Sequence, residues 1–242
     1  MDPAGRVAVV TGGAHRVGRA LSLGLARAGA DVVVHYNASA DAARETVAAI
    51  EALGRRAIAV GADLGDPAQI DRPVEAAADL GGLDILVNSA SLFERAPVEA
   101  IDADAWNRVL AVNLRAPFLL TRAAAPLLRQ RAPGLVVNIA DLSAFQAWPS
   151  FAHHAVSKAG LVHLTRVLAR ALAPDIRVNA IAPGTVLPPV DFQGEDYADG
   201  SDRRVLRREG SPDDVVDALL YLVRAEFVTG QILVADGGRM LL

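Results

Sequence analysis

The 242-residue chain is 52% hydrophobic yet only 5% aromatic, carries a net charge of −4 and contains no cysteine. That size and composition fit one α/β domain with a large aliphatic core, and they exclude disulfides, a thiolate nucleophile and a cysteine-held metal. The mild acidity argues against nucleic acid or a membrane surface as partner; with no apolar run of membrane-spanning length and no signal peptide, the expectation is a cytoplasmic protein.

In chain order, short β-branched runs alternate with longer segments rich in Ala, Leu and Arg. The first run, 6–11, enters a turn, Gly12-Gly13-Ala14-His15-Arg16-Val17-Gly18, and then an amphipathic helix over 17–28. A strand, a glycine turn and a helix together make a phosphate cradle. The opening amides of the helix lack intrahelical partners, and its dipole favours an anion. Further strands are expected at 31–35, 57–60, 83–88, 135–139, 177–181 and 231–235. Most are almost continuously apolar, as strands buried on both faces of a parallel sheet are.

Helices are expected near 40–53, 68–80, 103–131, 152–172 and 213–224. Ser39 and Ser211-Pro212 supply start signals. The alternation predicts a single-domain Rossmann-type, doubly wound parallel sheet of about seven strands over 1–242. Residues 183–210, rich in Pro, Gly, Asp and Arg, break the rhythm and are expected to form a substrate loop.

From Thr11-Gly12 to Gly18, with Asp63-Leu64, Asn88-Ser89-Ala90, Asn113, Pro183-Gly184 and Asp236-Gly237-Gly238, the motifs fall in the order of one family. The chain resembles a short-chain dehydrogenase/reductase over essentially its full length. Three positions depart from the family pattern. Arg16 replaces the middle glycine, Asp141 the catalytic serine, and His154 the tyrosine of Tyr-x-x-x-Lys, with Lys158 retained. The first two departures are similar to the pteridine reductase branch, as are 35–39 and Asn88-Ser-Ala-Ser91-Leu-Phe93.

No carboxylate follows the second strand, where NAD enzymes of this fold carry one. His35-Tyr36-Asn37 stands there instead, with Ser39 nearby and His15 and Arg16 in the adjacent turn. That donor set favours a 2′-phosphate, so NADPH is the expected cofactor. The resemblance implies that Thr11, Gly12, Val17, Gly18, Asp63, Leu64, Ser89, Ala90, Lys158, Pro183 and Gly184 complete its site. His154 and Lys158, four residues apart, share a helix face.

Asp141 and His154 are expected to act as a proton-donating pair, with Asn113 holding a water chain and Ser91, Phe93 and Arg16 meeting substrate. His153 is a minor candidate for the acid, and His35 and His163 read as packing or surface residues. Phe145, Trp148, Phe192 and Tyr197 are further pocket candidates. No His, Asp or Glu grouping demands a metal.

The expected activity is NADPH-dependent reduction of a pteridine or dihydrofolate-like heterocycle. Reduction of a general carbonyl or 3-oxoacyl thioester, and a catalytically weak NADP(H)-binding protein, stand as alternatives. The resemblance also implies a homotetramer built through 103–131 and 152–172.

Overall fold

The computed structural model describes residues 1–188 and 204–242. Strands β1 (Val7–Val10), β2 (Asp31–Tyr36), β3 (Ala57–Gly61), β4 (Ile85–Asn88), β5 (Gly134–Ile139), β6 (Ile176–Pro183) and β7 (Ile232–Ala235) form one sheet. Their order is β3-β2-β1-β4-β5-β6-β7, and every neighbouring pair runs parallel. Helices α1 (Arg16–Arg27), α2 (Ala40–Glu51), α3 (Arg72–Asp79), α4 (Ala103–Leu110), α5 (Ala116–Gln130), α6 (Ala152–Leu172) and α7 (Pro212–Arg224) lie between the strands in sequence. This is the expected Rossmann-type, doubly wound single domain.

The two-residue period of the strands divides the core into two halves. Ala8, Val10, Ile85, Val87, Leu135 and Val137 join Leu21, Leu25, Ile50 and Leu219 on one side of the sheet. Val7, Val9, Leu86 and Val136 join Val74, Leu120, Leu128 and Leu168 on the other. Each such valine, leucine or isoleucine contributes roughly 1.5–3 kcal/mol by leaving water. β3 and β7, at the two ends of the order, are only half-buried, whereas β1 and β4 are buried throughout.

The direction in which successive strands are added reverses at β1, which sits between β2 and β4. A doubly wound sheet therefore opens its crevice beyond the carboxyl ends of these strands. The amino ends are closed by ion pairs: Arg6 and Arg131 hold buried Asp84, and Arg55 and Arg56 hold Asp31.

Two expected helices differ in detail. The stretch 103–131 is not one α-helix, because a π-turn, Ala111–Arg115, separates α4 from α5. The stretch 68–80 opens with a short 3₁₀ turn, Pro67–Gln69, before α3. Ser39 does stand at the N-cap of α2, but its side chain makes no capping bond. Part of 183–210, including Phe192 and Tyr197, lies outside the described residues. Among those described, no helix is long and apolar enough to cross a membrane.

Candidate active site

The glycine turn after β1 is held by contacts that leave little freedom. Gly12 has φ +62°, and a Cβ on Gly18 would overlap the Gly12 carbonyl oxygen. Only glycine permits that crossing of the chain. Thr11 is buried, and its hydroxyl oxygen accepts from the amides of Ser89 (2.9 Å) and Ala90 (3.0 Å). It ties the end of β4 to the turn. His15 caps α1 in an extended conformation with no side-chain bond, and no acidic residue occupies the first turn. The amides that open α1 are therefore left without a side-chain partner.

Arg16 adopts φ +53°, the left-handed region, at a cost of roughly 1–2 kcal/mol for a residue with a Cβ. Its Nη2 donates to the Pro188 carbonyl at 2.6 Å. Glycine in the same place would be unstrained but could not make that bond.

A cleft of about 470 Å³ gathers most of the expected cofactor residues along one line. Its walls include Gly12, His15, Arg16, Val17 and Gly18 of the turn, Tyr36 at the end of β2 with Asn37 and Ser39 after it, Asp63 and Leu64 after β3, and Ser89, Ala90, Ser91 and Phe93 after β4. His35, Leu92 and Val112 also line it. Thr11, Asn113, Asp141, His154, Lys158, Pro183 and Gly184 lie outside that lining. Pro183 ends β6, and the Gly184 amide donates to the Ala235 carbonyl at 2.9 Å.

Asn113 sits in the π-turn, an insertion that re-aims one helix residue and recurs at functional sites. Its Oδ1 accepts from the Leu92 amide at 2.8 Å, and its Nδ2 donates to the Leu92 carbonyl at 2.9 Å and to Ser157 Oγ at 3.1 Å. Asn113 thus clamps the backbone of the segment that carries Ser91 and Phe93.

His154 is 1% exposed, with both ring nitrogens engaged. Nε2 lies 2.6 Å from Asp141 Oδ2, and Nδ1 lies 2.9 Å from the Leu92 carbonyl oxygen. Burial opposes ionisation of Asp141, but the His154 hydrogen bond, the charges of Lys158 and His154 and the Ser143 hydroxyl outweigh it. The carboxyl is held at about 2. A carboxylate and a carbonyl only accept, so both ring nitrogens of His154 donate and the ring is an imidazolium. Asn113 Nδ2, 3.3 Å from Nδ1, already spends its two N–H groups on Leu92 and Ser157.

Lys158 is buried, and its ammonium donates to the Ile139 carbonyl at 2.8 Å. Burial lowers its pKa, and the negative charge of Asp141 works the other way. Phe93 stacks on Phe151 with ring centroids 4.3 Å apart, and it meets His154 edge-on at 4.7 Å. Trp148 packs edge-on against both phenylalanines. Phe151 carried no signal in the sequence, because aromatic residues gain meaning only from their partners in space. His153 is fully buried, and neither of its ring nitrogens has a hydrogen-bond partner. Among the described residues, no cluster of three His, Asp or Glu side chains is placed to hold a metal ion.

The sequence pattern of the family described as enoyl-(acyl carrier protein) reductase matches residues 12–239. The 3beta-hydroxysteroid dehydrogenase 1 of Eggerthella lenta is 38% identical over 99% of this chain and 95% of its own length. A 3-oxoacyl-[acyl-carrier-protein] reductase of Synechocystis is 32% identical over 98% and 97%. Among solved structures, FolM alternative dihydrofolate reductase 1 from Brucella canis, complexed with NADP, superposes with a TM-score of 0.91. It is 37% identical, over 100% of this chain and 97% of that one. A short-chain dehydrogenase from Burkholderia cenocepacia in complex with NADP gives 0.92 at 36% identity, over 99% and 100%.

Proposed function

The chain belongs to the short-chain dehydrogenase/reductase family, and we propose that it is an NADPH-dependent reductase of a pteridine or dihydrofolate-like heterocycle. The observation that carries this reading is the Asp141–His154 pair, 2.6 Å apart beside the Phe93 ring. Structures of NADP-bound relatives, one of them an alternative dihydrofolate reductase, support the cofactor and substrate class.

The cradle residues fit a dinucleotide phosphate. The opening amides of α1 are uncapped, the glycines leave the turn free of side chains, and no acidic residue stands in the first turn. His15, Arg16, Asn37 and Ser39 supply donors for a 2′-phosphate, while Asp63 and Leu64 flank the adenine side. A reduced nicotinamide, when bound, supplies the hydride. Lys158 and the stretch from Pro183 to Gly184 would bound the nicotinamide end.

Protonation falls to this chain's own groups. One proton lies between His154 Nε2 and Asp141 Oδ2, and Asp141 is the more exposed partner. The pair would present that proton to a ring nitrogen of the substrate, leaving the His154 imidazole neutral beside the Asp141 carboxylate. Asn113 holds the segment that bears Ser91 and Phe93, and the Phe93 ring would stack on a flat substrate, contributing on the order of 1 kcal/mol beyond burial.

NADPH oxidation with dihydrobiopterin, dihydrofolate and an acetoacetyl thioester, offered side by side, tests the reading. Turnover of the first two supports it. Preference for the thioester would replace it with a 3-oxoacyl reductase, which the relative from Synechocystis favours. Cofactor binding without any turnover would leave only a binding protein.

The assembly proposed is a cytoplasmic homotetramer. Phe118 of α5 and Val167 of α6 are 43% and 50% exposed beside a surface cleft lined by Leu114 and Leu164, an apolar face suited to a second copy.

A further inference from the structure

His35, which the sequence offers as packing or surface, is 1% exposed at the end of β2 and bonded through both ring nitrogens. The Gly12 amide donates to Nδ1 at 3.0 Å, and Nε2 lies 2.9 Å from the Ala62 carbonyl oxygen. An amide N–H only donates and a carbonyl only accepts. The ring is therefore neutral, with its proton on Nε2. The backbone adds a third bond, because the His35 carbonyl accepts from the Gly13 amide at 2.9 Å.

One residue thus holds two successive amides of the glycine turn and the carbonyl that leads into Asp63-Leu64. These are two walls of the same cleft. The Gly12 amide is thereby spent inside the protein, and a phosphate would meet the amides farther along, at the start of α1.

The turn has no slack to tolerate a change in this bond. Gly12 is at φ +62°, and a Cβ there would stand 3.0 Å from Ala90 Cα. Protonating Nδ1 would set N–H against N–H across 3.0 Å, so the ring or the turn would have to move. Burial pushes the imidazole pKa down, with the Ala62 carbonyl acting in the opposite direction. The ionisable side chains on the surrounding segments are His15 and Arg16 in the turn, Tyr36 beside it and Asp63 after β3. None of them is hydrogen-bonded to the ring.

We propose that His35 is a positioning residue for the cofactor: its neutral Nε2–H tautomer fixes the Gly12 amide and sets the dinucleotide cleft, and protonation of the ring weakens cofactor binding. This rests on the reading that the cleft takes a dinucleotide.

The test uses the full chain and NADP⁺, which survives mild acid. Dissociation constants are measured calorimetrically from pH 8 to pH 5 for wild type, His35→Asn, His35→Gln and His35→Leu. Asn places an untitratable acceptor near Nδ1, Gln restores only a donor toward Ala62, and Leu restores neither. The 2′-phosphate titrates alike in all four, so differences between curves belong to the protein.

His35→Asn is expected to bind within about threefold of wild type at pH 7.5. Toward pH 5 wild type should lose more affinity than this variant. His35→Leu should weaken binding about tenfold or more at pH 7.5, and His35→Gln should fall between. Should His35→Leu fail to fold, the comparison of wild type with His35→Asn still decides.

Nitrogen-15 NMR of the ligand-free protein should show His35 neutral and Nε2-protonated at pH 7.5. Superimposable wild-type and His35→Asn curves, or an Nδ1-protonated ring, would overturn the proposal. Failure of wild type to bind NADP⁺ at pH 7.5 would instead overturn the dinucleotide reading beneath it.

Discussion

His154 Nε2 and Asp141 Oδ2 stand 2.6 Å apart, and of the two side chains the carboxylate is the more exposed, 23% against 2%. The imidazolium is thus an interior reserve of charge, and the carboxylate is the face it turns outward.

Replacing His154 by Gln keeps a polar side chain but removes the proton. We expect kcat to fall by about 10²–10⁴, the usual range for a lost general acid, with NADPH affinity within about twofold. His154→Tyr exchanges the imidazolium for a phenol, whose ordinary pKa is about 10, and should shift the pH profile of kcat. Steady-state pH profiles check both variants, and an unchanged profile in His154→Tyr would remove the pair from the chemistry.

Asp141 also contributes to stability. Its carboxyl is lowered from 3.8 to about 2, so its contribution is present above the unfolded value and lost as pH falls through the folded one. That shift corresponds to about 2 kcal/mol. Asp141→Asn should lose about that much in urea unfolding at pH 7, and the gap should narrow as pH is lowered from 4 toward 2.

Arg16→Gly should act in opposite directions on two measurements. Removing a Cβ at φ +53° relieves roughly 1 kcal/mol. Loss of the guanidinium should raise KM for NADPH about tenfold and leave KM for NADH little changed. A thermal melt and paired kinetics read the two effects, and equal losses for both cofactors would separate Arg16 from the 2′-phosphate.

Gly18→Ala places a methyl against the Gly12 carbonyl oxygen. The turn must open to accept it, and we expect NADPH affinity to fall more than tenfold with a lower Tm. Unchanged binding in fluorescence titration would show that the turn does not hold the phosphates.

Burial depresses the Lys158 pKa below its usual 10.5, against the pull of the Asp141 charge, and the cost of that burial is fully present below the folded value and fades as pH rises toward the unfolded one. Lys158→Met should raise Tm by roughly 2–4 °C, about 1 kcal/mol in a chain of this size, and abolish turnover. The gain should shrink as pH rises toward the usual lysine value, and calorimetry across that rise measures it.

The fold was legible because strands buried on both faces leave long apolar runs, and the seven of them were readable from 6–11 to 231–235. The π-turn at Ala111–Arg115 was not, since one inserted residue barely disturbs a helical period. At the site, the four-residue spacing put His154 and Lys158 on one helix, while the partners they choose, Leu92 and Ile139, are backbone carbonyls that no side-chain pattern encodes. Thr11 reads as a cofactor contact, yet its hydroxyl oxygen holds the Ser89 and Ala90 amides. His35 shows the same limit. Its significance comes from a glycine amide 23 residues earlier in the chain.

The bond from Arg16 to the Pro188 carbonyl spends one of the five N–H groups of a guanidinium. The same side chain lines the dinucleotide cleft, so one arginine fastens the backbone just past β6 to the mouth of α1 and keeps donors over for an anion there.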